Sequence, residues 1–111
     1  MSVGAIVQLG GAHAQLQADG WVLFGCPDGT ATAWKGHSLP PQGPARIVFH
    51  TAEPNTIAGL FAVLCALTGQ DRKDGLEIIH PLFDEGVPSL VEAWIKSARP
   101  DFPVSLETAG F

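Results

Sequence analysis

The residues that could do chemistry lie in two short stretches. His50, Thr51, Glu53 and Asn55 follow one apolar run, and His80, Asp84 and Glu85 follow another. Two imidazoles and up to three carboxylates suit general acid–base work or the holding of a divalent cation. For either chemistry the stretches must converge. They would do so if 45–50 and 76–80 were parallel neighbours in an open sheet, because ligands there bind beyond the carboxyl ends of the strands. His50, Glu53, His80 and Asp84 are then the candidate catalytic or ligand-binding set. The plainer reading makes His50 and Thr51 a strand end and a helix cap. Asp84 and Glu85 then form a solvated loop before a helix whose dipole favours acids.

A thiol is the second candidate. Cys26 ends an apolar run just before Pro27-Asp28-Gly29. A thiol nucleophile needs a base and an orienting group, and no spacing ties His13 or His37 to Cys26. Cys65 sits in an uncharged apolar stretch and reads as packing. The histidines stand at 13, 37, 50 and 80 with no pair at ligand spacing, so no metal is expected. No cofactor is expected either. The chain lacks GxxxxGK[ST], GxSxG and HExxH, and no helix follows Gly10-Gly11 as a dinucleotide fingerprint requires.

The elements that must position these residues fall into two halves. Val3–Leu9, His13–Gln17, Trp21–Cys26 and Thr30–Lys35 read as strands, with turn signals at Gly10-Gly11, Asp19-Gly20 and Pro27-Asp28-Gly29. That gives an antiparallel meander of about four strands over 1–35. Residues 36–44 carry three prolines and form a loop. From residue 45 the pattern alternates. Ala45–His50 is a strand, and Ile57–Leu67 is a helix apolar almost all round. Leu76–Phe83 is a strand that Pro81 either ends near His80 or demotes to an edge. Pro88–Ala98 is an amphipathic helix with Leu90, Val91, Trp94, Ile95 and Ala98 on one face, and Val104–Glu107 is a last strand. The expected fold is α+β: one mixed sheet, an N-terminal meander then a β-α-β-α-β segment, with two helices packed on it. The expected domain is single and spans 1–111.

Composition narrows the function. The chain has 111 residues, with hydrophobic residues at 46%, charged residues at 15% and a net charge of −5. Nucleic acid is a poor partner for such a chain, since phosphate contact needs clustered Lys and Arg. The acidity is uneven: 1–55 holds three acids and two bases, whereas 56–111 holds eight acids and four bases. The longest uncharged apolar run, Thr56–Thr68, is too short to span a bilayer core, so no membrane is expected. No Lys or Arg precedes the short Val3–Leu9 run, which argues against a signal peptide. Two cysteines without a CxxC pair fit a reducing, cytoplasmic setting.

The first functional reading is therefore a small acidic cytoplasmic protein-binding module without catalysis, an inhibitor or adaptor of a larger protein partner. Its expected contacts are Trp34, His37, Leu39, Asp84 and Glu85, with Trp34 as a surface aromatic. The second is a small-ligand-binding protein or enzyme using His50, Glu53, His80 and Asp84. The third is a homo-oligomeric structural protein, a homodimer whose seam is the small-residue stripe Ala58, Ala62 and Ala66.

Overall fold

The structure is a computed structural model that describes residues 4–18, 20–36, 39–40, 42–51, 53–68, 72 and 74–109. His37 and Asp19 lie outside the described residues. The α+β class holds. One six-stranded mixed sheet carries helices, and its strands stand side by side in chain order.

Three strands form the meander: β1 (Ile6–Leu9), β2 (Ala12–Gln17) and β3 (Gly20–Phe24). Their pairing is antiparallel, with Val7 opposite Ala14 and Ala14 opposite Leu23. Gly10 supplies the positive φ of +62° that the first turn needs. Helix α1 (Thr30–Lys35) leads to β4 (Arg46–Val48). Helices α2 (Pro54–Ile57) and α3 (Leu60–Thr68) lead to β5 (Leu76–Pro81), and α4 (Gly86–Ala98) leads to β6 (Val104–Ala109). Strands β3 to β6 are all parallel, with Leu23 beside Ile47, Ile47 beside Ile78 and Ile78 beside Leu106.

Two expectations change. Thr30–Lys35 is a helix, not a fourth meander strand. Its buried residues, Thr30 and Trp34, are four apart, a spacing that shares a face in both a strand and a helix. The tie is broken by β4, which pairs parallel to β3 and so requires a crossover. Second, the apolar helix predicted over Ile57–Leu67 is broken at Ala58-Gly59. The loop after β3 docks into the break, where Gly59 donates its N–H to Cys26 O at 2.8 Å and Cys26 donates its own to Thr56 O at 2.9 Å. Of the two readings of Pro81, the strand end holds: β5 closes at Pro81 and lies between β4 and β6.

A single core joins the meander to the helices. Leu9, Ala14, Trp21, Leu23, Ile47 and Ile78 meet Trp34 of α1, Leu64 of α3, and Val91 and Trp94 of α4. Because α1, α3 and α4 all feed this one cluster, they cover the same sheet face. The amino-terminal edge of the sheet is tied by Arg72. Its guanidinium is buried and donates to four carbonyls: Asp74 at 3.0 Å, Gln42 at 3.0 Å, Pro44 at 2.7 Å and Gly75 at 2.8 Å. It also lies 5.2 Å above the Phe102 ring. Burial pulls its pKa below the ordinary value, and Asp74 opposes that pull.

Candidate functional site

The parallel pairing of β4 with β5 brings the two chemistry-bearing stretches to one edge of the sheet, the carboxyl edge. Three loops build it: the exits of β3, β4 and β5. The first is held by Gly25 N–H to Val48 O at 2.9 Å and by the Cys26 bonds to Thr56 and Gly59. Thr30 adds a hydroxyl bond to Pro27 O at 2.7 Å. Cys26 itself is buried, and burial pushes its thiol up to about 12, with Thr30 opposing weakly. The thiol is packed in the core cluster, an environment that disfavours the thiolate.

The third loop carries the most structure. Asp84 accepts the Gly86 N–H at 2.8 Å, and its two oxygens lie 3.4 Å from the Val87 nitrogen. The carboxylate thus satisfies the free N–H groups that open α4. Its Oδ2 also lies 3.4 Å from Nδ1 of His80, with both side chains buried. That contact is poorly aligned for a hydrogen bond, so His80 Nδ1 has no hydrogen-bond partner. The pair can act as an ion pair when the imidazole is protonated.

Between His80 and Asp84 the chain turns, with Asp84 N–H facing Pro81 O at 3.4 Å. The turn presents two apolar side chains to solvent, Leu82 at 52% exposure and Phe83 at 99%. Phe83 holds φ at +63°, a left-handed conformation that costs a residue with a Cβ roughly 1 kcal/mol and that glycine adopts freely. A fully exposed aromatic in a glycine conformation brings no packing gain to offset that cost.

The sequence-predicted residues separate as follows. His80 and Asp84 come together. His50 and Glu53 reach the same edge but stand exposed. No group of three or more His, Cys, Asp or Glu side chains suited to a metal ion occurs among the described residues. A cavity of about 920 Å³ lies at the opposite, amino-terminal edge, lined by Trp21, Pro40, Arg46, Arg72, Glu77 and Val104 among others. It contains none of the four candidates. Trp34 and Leu39 are core residues, each 6% exposed, rather than surface contacts. Trp34 meets Trp21 edge-on at 5.8 Å, because the helical turn of α1 points it inward. Glu85 is exposed beside the tip. Ala58 and Ala62 are exposed and Ala66 is half-buried, but Ala58 sits in the break before α3, so the stripe is not continuous.

Sequence reasoning missed Leu82 and Phe83. Reading Leu76–Phe83 as one apolar strand hid them. The signal available was Pro81, which ends the ladder and leaves the next two apolar residues without a strand to belong to.

The fold defines the class: an α+β protein with a mixed sheet, helices on one face and loops gathered at the carboxyl ends of its parallel strands. Among solved structures the chain is similar to the short form of human tRNase Z, with a TM-score of 0.72 and 18% sequence identity. The match covers 97% of this chain and 41% of that one, so the chain spans less than half the length of that structure. At that identity the likeness is one of fold. No known family matches the sequence, and no curated protein does.

Proposed function

We propose that the protein is a small protein-binding module, an inhibitor or adaptor that engages a larger partner with the loop between β5 and α4. The observation that carries this reading is Phe83, fully exposed and held in a conformation that costs energy. Strain retained at an exposed aromatic is understandable where the side chain is used, and buried aromatics are the commonest anchors of protein interfaces. The surroundings describe the partner. Asp28, Glu53 and Glu85 are exposed on the same edge. The described bases lie toward the other edge: Lys35 ends α1, Arg46 begins β4, Arg72 precedes β5, and Lys96 and Arg99 close α4. An apolar tip among carboxylates fits an apolar pocket rimmed by Lys and Arg. A cytoplasmic setting fits the two unbonded cysteines.

The test is affinity capture from native cells, followed by direct titration of the purified partner. Phe83→Ala should weaken binding by about 30-fold, the scale of one interface anchor. Glu85→Gln should weaken it less, and that loss should shrink at high salt. Equal affinity of Phe83→Ala and the parent chain for the recovered partner would remove the reading.

A further inference from the structure

The turn between β5 and α4 starts and ends on a buried pair. His80 is the last inward-facing residue of β5, and Asp84 stands just before α4. Their side chains are 7% and 5% exposed, and Nδ1 of His80 lies 3.4 Å from Oδ2 of Asp84. The two carboxylate oxygens face different neighbours. Oδ1 accepts the Gly86 N–H at 2.8 Å, an approach that Gly86 permits because a Cβ there would stand 3.3 Å from Oδ1. Oδ2 lies toward the imidazole, and its 3.4 Å to the Val87 nitrogen is long for a hydrogen bond. The imidazole is the unfinished half of the pair. Its Nδ1 is buried without a hydrogen-bond partner among the described residues, a state that folded chains rarely leave unused.

The elements packed around His80 bring no other charge to it. Phe49, the residue after β4, donates its N–H to Ile79 O at 2.8 Å. Thr108 of β6 is paired with His80, and α4 turns Val87 and Val91 into the core. None of these side chains titrates. His50, Glu53 and Glu85 belong to the same edge but are exposed. The positive end of the α4 dipole is close, and the Asp84 carboxylate sits against it. Among the described residues Asp84 is thus the ionisable group that His80 meets.

We propose that this pair is a proton-operated clamp on the Phe83 tip: a proton on His80 ties the end of β5 to the start of α4 and holds the turn between them. A bare Nδ1 sets one acceptor against another, whereas the imidazolium donates from both ring nitrogens. Its Nδ1–H then makes a charge-assisted bond to Oδ2, at a depth where salt screens little. The carboxylate can hold strand and helix together, because Oδ1 stays on Gly86. The turn needs such a tie. Its own closing contact, Asp84 N–H to Pro81 O, is long at 3.4 Å, and Phe83 sits at a φ of +63°. Histidine ordinarily changes charge between about pH 5 and 8, so modest acidification closes the clamp. As a control on binding the clamp rests on the docking role of the tip; as a property of the turn it needs no partner.

The test compares the purified chain at about pH 5.5 and about pH 7.5. Backbone amide NMR relaxation of Leu82 and Phe83 reports the order of the turn on the ps–ns scale, and the Gly86 amide shift reports its bond to Asp84. The expected result is a turn more ordered at the lower pH, with the Gly86 shift following the same titration as the His80 ring. His80→Gln removes the titrating group, and Asp84→Asn removes the charge while keeping an acceptor for α4. Each should abolish the change. A parent turn equally ordered at both pH values overturns the proposal, and so does a pH response that survives either substitution. Affinity for the captured partner should rise about fivefold on going to the lower pH, a gain that neither variant shows. A parent affinity that does not change with pH overturns the clamp as a control on binding. Equal partner affinity of Phe83→Ala and the parent removes the docking role instead, and the relaxation result still decides the clamp.

Discussion

Gly59 is the position where one added carbon should matter most. A Cβ there would meet the Pro27 carbonyl, with Pro27 C at 2.8 Å and Cys26 O at 3.2 Å. All three atoms are backbone, so no side chain can swing aside. Relief requires the loop after β3 to retreat from the helix break, which stretches Gly59 N–H to Cys26 O and Cys26 N–H to Thr56 O. Two bonds at about 1 kcal/mol each join an overpacking cost of about 1–3 kcal/mol. Gly59 stands just before α3, where alanine brings no helix-propensity gain. Gly59→Ala should therefore destabilise the fold by about 3–5 kcal/mol. That is a large share of the 5–15 kcal/mol typical of a domain. Urea unfolding followed by tryptophan fluorescence measures it directly, and the midpoint should fall with an unchanged slope. A midpoint indistinguishable from the parent would show that the loop does not dock in the break, and the account of the carboxyl edge would fall with it.

Other outcomes follow from single side chains. Arg72→Lys should cost about 2–4 kcal/mol in the same assay. An ammonium cannot reach four carbonyls in one plane, and those left are buried unpaired. Asp84→Ala should cost about 1–2 kcal/mol through the lost cap of α4, and Asp84→Asn, which keeps an acceptor oxygen, should recover most of it. Cys65 should react with a thiol reagent in the native state, whereas Cys26 should react only on unfolding. Raised from 9.0 to about 12 by burial, Cys26 holds its proton in the folded state where the unfolded chain has lost it. Its contribution to stability is thus complete below pH 9 and declines from there toward pH 12. Alkaline unfolding of Cys26→Ala should show a shallower decline over that window.

The parts of the fold visible in the sequence were those with a long or bounded pattern. The run from Pro88 to Ala98 carries its apolar stripe over three turns, and α4 appears within two residues of it. The alternation from residue 45 onward implied parallel strands, and β4 and β5 are parallel neighbours. Short segments were illegible for a physical reason. Over six residues, Thr30–Lys35 satisfies both a period of two and a period near four. Only the crossover between β3 and β4 decides between them, and that is a tertiary fact. The candidate site was half legible. Topology placed His50 and His80 on one edge, but no local signal says whether an imidazole turns inward, as His80 does, or outward, as His50 does. Phe83 was hidden because its oddity lies in a backbone angle, and residue type does not report one.

The order of the strands bears on how the chain folds. Each strand pairs only with those next to it in the chain, and the longest step in the ladder runs from Arg46 to Glu77. A nascent chain can therefore build the sheet outward as it is synthesised, every new strand adding to the edge left by the last, with no early strand waiting for a late one. Short loop closures of this kind speed folding. The corollary is a hazard on the way: until β5 arrives, β4 presents an open apolar edge in Ile47 and Val48, the kind of edge on which growing chains aggregate.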